Sequence, residues 1–294
     1  MGDKAPLIPQ FEYHRPASLQ DALELLENYN GKAKPLAGGT DLIVQMRDRK
    51  AAPGHIVDLA HLKELDYIVA DRELVRIGAL TRIASIQGSE LITRMAPILA
   101  RATDQFASWQ IRNIGTIGGN LCNASPAADT APPLMVLGAR VRTKSASRER
   151  DIPLEQFFEG PGQTALDPAE LVTEVAFKAP TREAQWSYFK LGRRSGNTLS
   201  IVSLAATFDV DGGEMCRARI ALGAVAPVPL RPKRTEAMLE GAKLDVETGI
   251  RAGELVAAEV APISDVRASA DYRTAMSSLL VRKSIEALMG ASKS

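Results

Sequence analysis

The chain's 294 residues are enough for about two domains of roughly 150 residues each, and a 45% hydrophobic content is enough for ordinary cores. Lys plus Arg (36) nearly balances Asp plus Glu (35), so there is no basic field to attract the phosphates of nucleic acid. With only two cysteines, Cys122 and Cys216, and three histidines, His14, His55 and His61, neither a closed four-ligand zinc site nor a four-thiolate iron–sulfur cluster is expected, and no metal site is predicted. No CxxC, HExxH or GxSxG occurs, so the common metal-hydrolase and activated-serine motifs are missing, and any enzymatic chemistry is expected to come from a cofactor. No apolar run approaches the roughly 18 residues that span a bilayer. Asp3, Lys4 and Pro6 stand where a signal peptide would be apolar, which predicts a cytoplasmic protein.

In chain order, Ser18 with Asp21 forms a capping-box-like start, and Leu19, Ala22, Leu23, Leu25 and Leu26 follow at helical spacing to Gly31. Lys34 to Ala37 reads as a strand running into Gly38, Gly39, Thr40 and Asp41, and the apolar pattern from Leu42 fits a helix. His55 to Leu59 reads as the next strand, and Tyr67–Ala70 with Leu74–Ile77 as a hairpin turning at Asp71 and Arg72. Ile98, Leu99 and Phe106 suggest a helix before Ile111 to Asp129, a stretch too rich in Gly, Asn and Pro for one regular element. Strands are expected at Ala139–Thr143 and Leu171–Phe177, then a polar boundary at Ala179–Ala184. Beyond it, Trp186–Leu191, Ile201–Val210 and Arg217–Ala224 read as strands, the last two joined at Asp211-Gly212-Gly213, and Val246–Val260 and Tyr272–Met289 as helices. There is no internal repeat.

Two glycine pairs, Gly38-Gly39 before Thr40 and Gly118-Gly119 before Asn120, are candidate anion cradles. Glycine lets successive backbone N–H groups converge with no Cβ in the way. A single helix end contributes only about 0.3–1 kcal/mol, so two loops closing on one diphosphate make a better site than either alone. Taken singly, each pair is equally well a plain turn. Gly160, Gly162 and Ala165 match the Rossmann G-x-G-x-x-A fingerprint, but Pro161 lies inside it and no buried parallel strand precedes it, which predicts a surface loop. Cys122 reads as a small packed side chain, and the three scattered histidines share no evident role. Arg47, Arg49 and Lys50 read as a solvated helix end. On spacing alone, Lys190 is equally a surface lysine or one aimed at a buried acceptor.

Together, PLAGGTDL (Pro35 to Leu42) and TIGGNLCNASPAAD (Thr116 to Asp129) resemble the FAD-binding subunit of the molybdenum hydroxylases, the xanthine dehydrogenase and aerobic carbon monoxide dehydrogenase family. The resemblance starts at FEYHRPASLQDALELL and continues to YRTAMSSLLVRKSIEAL. It implies an α+β FAD-binding fold of the vanillyl-alcohol-oxidase (PCMH) type. Two α+β subdomains, about 1–62 and 63–180, would hold FAD, and a C-terminal α+β domain, 181–294, would cover it. Pro35, Leu36, Ala37, Gly38, Gly39, Thr40, Asp41 and Leu42, with Thr116, Ile117, Gly118, Gly119 and Asn120, would wrap the diphosphate through backbone N–H groups. Phe106 would line the cofactor and Asp129 bind a polar part of it. Leu171 and Val172 would meet the ring through their backbone, and Lys190 would sit at the ring.

The implied partners are an iron–sulfur small subunit and a molybdopterin large subunit, in a dimer of heterotrimers that passes electrons to NAD, quinone or oxygen. The carbon monoxide dehydrogenases tend to carry His-Ser after the first glycine pair. Thr40-Asp41 looks more like the xanthine and heterocycle dehydrogenases, and two cysteines exclude the extra cluster of the benzoyl-CoA reductase branch. The competing readings are a self-contained flavin oxidase or dehydrogenase with its own substrate pocket, and a structural subunit whose glycine pairs are plain turns.

Overall fold

In the computed structural model, which describes residues 7–181, 184–194 and 198–291, the chain folds around three main sheets. The acidic, proline-bearing start at Asp3, Lys4 and Pro6 lies outside the described residues, as do Arg182 and Glu183 of the expected boundary.

The first sheet is parallel. It contains β1 (Glu12–His14), β2 (Ala33–Leu36) and β3 (His55–Asp58) in the order β1-β3-β2, with α1 (Leu19–Tyr29) before β2 and α2 (Leu42–Arg47) after it. Ser18 Oγ accepts the Asp21 N–H at 3.1 Å and so caps α1, which ends on left-handed Asn30 (φ 40°). Ala22, Leu23 and Leu26 recur on one face of α1 and are fully buried against Val57, Leu59 and Leu65.

The second sheet is antiparallel, with its strands side by side in the order Ile68–Asp71, Leu74–Gly78, Leu171–Lys178, Arg140–Lys144 and Glu149–Pro153. The hairpin of β4 (Ile68–Asp71) and β5 (Leu74–Gly78) turns at Arg72, φ 52°. Then come α3 (Ile83–Gln87), α4 (Glu90–Met95), α5 (Pro97–Asp104), α6 (Trp109–Ile114), α7 (Ile117–Cys122) and α8 (Ala131–Val136). The strands β6 (Arg140–Lys144), β7 (Glu149–Pro153) and β10 (Leu171–Lys178) complete the sheet. The small β8 (Phe158–Gly160) and β9 (Gln163–Thr164) pair between β7 and β10. The Rossmann-like glycines lie in that hairpin, whose tip at Pro161, Gly162 (φ +72°) and Gln163 is exposed.

The helix expected around Ile98 ends at Asp104, so Phe106 lies just past it. The Ile111–Asp129 stretch is broken as composition suggests, into the end of α6, short α7 and turns. Pro132 and Pro133 open a helix instead of leading straight into a strand, because proline fits the first helical turn where N–H groups lack partners.

In the third unit, β11 (Gln185–Leu191), β12 (Val202–Asp211) and β13 (Glu214–Gly223) form an antiparallel meander, followed by α9 (Lys233–Leu239), α10 (Val246–Ala257) and α11 (Ala270–Ala291). The central strand β12 is covered on both faces. Leu204, Ala206 and Phe208 pack with Val256, Val281 and Ile285, whereas Ala205 joins Tyr188, Ala221 and Leu134 in the core of the second sheet. The C-terminal sheet is thus continuous with the central core. Arg273, fully buried, donates to the carbonyls of Ile201 (2.6 Å) and Ala224 (3.1 Å) and ties α11 to the ends of β12 and β13.

Candidate functional site

The first glycine segment leaves β2 at Pro35 and Leu36, turns through Ala37, Gly38, Gly39, Thr40 and Asp41, and enters α2 at Leu42. Gly39 has φ +72°, a left-handed conformation that favours glycine, and a Cβ on Gly38 would lie 2.1 Å from the Ile114 carbonyl oxygen. Gly38 is therefore required by contact with the end of α6, immediately before the second segment. Among the described residues, the N–H groups of Ala37, Gly38, Gly39, Thr40 and Asp41 meet no acceptor. A run of free amides on a partly buried turn is a cradle suited to an anion.

The second segment is built into the fold more tightly. Thr116 caps α7, its Oγ1 accepting the Gly119 N–H at 3.1 Å, while Ile117 donates to Thr81 O (3.0 Å) and Gly118 to Ala79 O (2.9 Å). A Cβ on Gly118 would meet Ala79 at 2.8 Å. Free amide donors therefore lie on the first segment, whereas Ile117, Gly118 and Gly119 use theirs to fix the backbone of the second. The two segments lie side by side: Asn123 Nδ2 donates to Asp41 Oδ1 at 3.2 Å, and Gln45 Nε2 to Asn123 Oδ1 at 3.1 Å. Asn120 Oδ1 accepts from Thr130 Oγ1 at 2.6 Å and couples α7 to the residue after Asp129.

Asp129 and Lys190 meet in a dry seam between α8 and β11. Lys190 Nζ lies 2.6 Å from Asp129 Oδ2 and donates to Gln105 O at 2.8 Å, with side chains only 4% and 8% exposed. Ser200, fully buried, donates to Asp129 Oδ1 at 2.6 Å. Burial pushes the Asp129 carboxyl above its ordinary range, against the opposing pull of Lys190 and Ser200. Phe106 is buried next to Gln105, and its carbonyl accepts from Arg112 Nη1 at 2.6 Å. Phe106, Asp129 and Lys190 are thereby joined in one cluster. Leu171 and Val172 open β10, whose next residue, Thr173, accepts the Ala79 N–H at 3.0 Å, and Ala79 O in turn accepts from Gly118.

Tyr188, two residues before Lys190 on the same strand face, has a buried hydroxyl with no hydrogen-bond partner among the described residues. Burial, then the charge of Asp129, pushes its pKa well above the usual phenol value. A buried hydroxyl without a partner is uncommon and marks this part of the core as polar. Sequence reasoning missed Ser200, Tyr188 and the Gln105 carbonyl. Tyr188 was within reach of the two-residue strand period; Ser200 carries no local signal.

Cys122 is a partly buried thiol packed against the core, and burial pushes it up to about 12, which weighs against a nucleophilic role. The histidines are not all scattered: His14 Nε2 and His55 Nδ1 lie 3.2 Å apart, because the parallel pairing of β1 and β3 joins residues distant in sequence. His61 stands apart from them, its Nε2 at 2.5 Å from Pro16 O.

A turn of free amides and, elsewhere in the same fold, a buried Asp129–Lys190 pair suit a protein that binds a phosphate-bearing cofactor. Residues 9–179 match the FAD binding domain in molybdopterin dehydrogenase, and residues 187–288 the CO dehydrogenase flavoprotein C-terminal domain. The chain belongs to this family of FAD-binding subunits of FAD-dependent oxidoreductases, with the PCMH-type α+β fold. A xanthine dehydrogenase FAD-binding subunit of Escherichia coli O157:H7 is 34% identical over 281 residues, 95% of this chain and 96% of that one. The carbon monoxide dehydrogenase medium chain of Afipia carboxidovorans is 35% identical over 281 residues, 95% and 97% of the two chains. A solved carbon monoxide dehydrogenase from Hydrogenophaga pseudoflava superposes with a TM-score of 0.92 at 33% identity, covering 95% of this chain and 97% of that one.

Proposed function

We propose that the chain is the electron outlet of a cytoplasmic molybdenum hydroxylase. In this reading it binds FAD within residues 1–180, covers it with residues 181–294, and joins an iron–sulfur small subunit and a molybdopterin large subunit in a dimer of heterotrimers. A flavin takes up two electrons and returns them singly or as a hydride, which links one-electron clusters to NAD, quinone or oxygen as the final acceptor. The observation that carries the reading is the run of unbonded amides from Ala37 to Asp41 on the first glycine turn, held next to the second glycine segment through Asn123.

Each residue's part follows from its surroundings. The free amides of the first segment hold the diphosphate, and Gly38 and Gly39 keep side chains out of its way. Thr116, Ile117, Gly118 and Gly119 fix the adjoining backbone, and Asn120 orients the Thr130 side. Asp129, held by two donors, offers a fixed acceptor to a polar group of the cofactor. Lys190 holds a cation in a water-poor seam, where charge acts more strongly on its neighbours than in water. Phe106, which is buried, supplies an apolar wall, and the backbone of Leu171 and Val172 meets the flavin ring.

In the assembled complex the chain should show a flavin absorption spectrum at one FAD per chain. Gly39→Val or Gly118→Leu should remove FAD and leave the assembly intact. A wild-type complex without flavin, or unchanged flavin content in both variants, overturns the proposal. Turnover of an organic substrate by this chain alone would favour a self-contained flavin enzyme instead. The described site offers little acid–base chemistry for one, since its carboxylate and ammonium are committed to each other.

A further inference from the structure

We propose that Glu12, His14 and His55 form a binding site for one divalent transition-metal ion of the Zn2+ class, at the edge of the first sheet. Their ligand atoms form a compact triangle: His14 Nε2 to His55 Nδ1 3.2 Å, His55 Nδ1 to Glu12 Oε2 3.3 Å, and His14 Nε2 to Glu12 Oε2 3.9 Å. Around a tetrahedral ion with bonds of about 2.0–2.1 Å, ligand atoms stand about 3.3–3.4 Å apart. Two edges already fit, and only the Glu12 carboxylate has to swing by about half an ångström on the third. It can do so, because its side chain is 71% exposed.

The two rings are held in place. Tyr29 stacks on His55 with centroids 3.7 Å apart and planes 16° from parallel, and lies 5.0 Å from His14. The imidazoles are about one-fifth exposed, so water can complete the fourth position from the solvent side where Glu12 stands. Two imidazoles and one carboxylate select Zn2+, Co2+ or Ni2+ over Mg2+ and Ca2+, which prefer all-oxygen sets.

The site is separate from the cofactor cradle. Ala33 pairs with His55 at one end of the β2–β3 ladder, whereas the glycine turn leaves the other end after Leu36, three residues or about 10 Å further along. A bound ion would clamp three-residue β1, the edge strand, to β3.

The test uses the purified full chain with FAD bound, stripped of metal by a chelator and titrated with Co2+ alone and then Zn2+ alone. The expected result is one Co2+ per chain with visible absorption bands, displacement by Zn2+, and a Zn2+-dependent rise in the thermal midpoint. His14→Gln and His55→Gln should each weaken binding at least about tenfold with flavin content unchanged. The absence of stoichiometric Co2+ or Zn2+ binding overturns the proposal, as does wild-type affinity in either histidine variant. Glu12→Gln removes an exposed ligand and leaves both rings in place, so wild-type affinity there also overturns the three-ligand set.

Discussion

The Asp129–Lys190 pair allows the reasoning about the site to be tested energetically. At 2.6 Å the gross attraction is about 6 kcal/mol at an effective dielectric of about 20, and the cost of taking both ions out of water offsets most of it. The net value of the pair is therefore small, whereas breaking it strands a charge in a seam from which water is almost excluded. Lys190→Met leaves a carboxylate held only by Ser200, and Asp129→Asn leaves an ammonium facing the Gln105 carbonyl and a neutral amide. Each single change should cost about 3–5 kcal/mol, and the double change much less than the sum of about 6–10 kcal/mol. Urea unfolding of the four proteins, followed by tryptophan fluorescence at one fixed free FAD concentration, measures the cycle. If the two costs add to within about 0.5 kcal/mol, the two groups are uncoupled and the account of the seam is refuted.

Gly38→Ala places a Cβ 2.1 Å from the Ile114 carbonyl, so the two glycine segments must separate; FAD affinity should fall by about 1–3 kcal/mol, roughly 5- to 150-fold, by flavin-release titration. Gly54→Ala, which meets nothing within 4 Å, should leave it unchanged. At pH 8, a Cys122 thiol pushed up to about 12 carries roughly a thousandfold less thiolate than an ordinary one, so iodoacetamide should label Cys216 and spare Cys122 until the chain unfolds. Glu170 is buried, which alone would raise its pKa, yet Arg150, Thr143 Oγ1 and the Asp167 N–H hold the carboxyl below its ordinary range. Its folded pKa lies below the unfolded one, so its contribution is present above the unfolded value and is lost as pH falls through the folded value. Glu170→Gln should therefore destabilise the protein at neutral pH, with a penalty that shrinks in urea melts at successively lower pH. A pH-independent penalty would contradict this.

Much of the architecture is legible in the sequence because local rules and tertiary packing agree. The Ser18 cap and the apolar face of α1, the turn at Arg72, and the β12–β13 hairpin on Gly212 and Gly213 all follow local periods and turn chemistry. Elements whose sequence is dominated by polar contacts are not. Lys-Arg-Thr-Glu hides the start of α9, where Glu236 is turned inward to accept the Ile220 N–H and pair with Arg231. Glu-Arg-Asp hides β7, an edge strand whose Arg150 reaches Glu170. In the site, the glycine pairs announce themselves by composition, but which amides stay free depends on Ala79 and Thr81, supplied by a different part of the chain. Ser200 and the His14–His55 contact depend on strand register, which no local window contains.

The continuity of the C-terminal sheet with the central core bears on how the protein is made. During synthesis the amide cradle and Asp129 leave the ribosome well before Lys190 and Ser200, which neutralise and hold that carboxylate. The seam closes only when β11 and β12 arrive and Tyr188 and Ala205 enter the core beside Leu134. If FAD sits between the cradle and the seam, as proposed above, a cofactor loaded before that moment is walled in by the last third of the polypeptide. On that reading its later escape follows opening of part of the core, and its residence time tracks the opening rate of the fold as well as the contacts of the cradle.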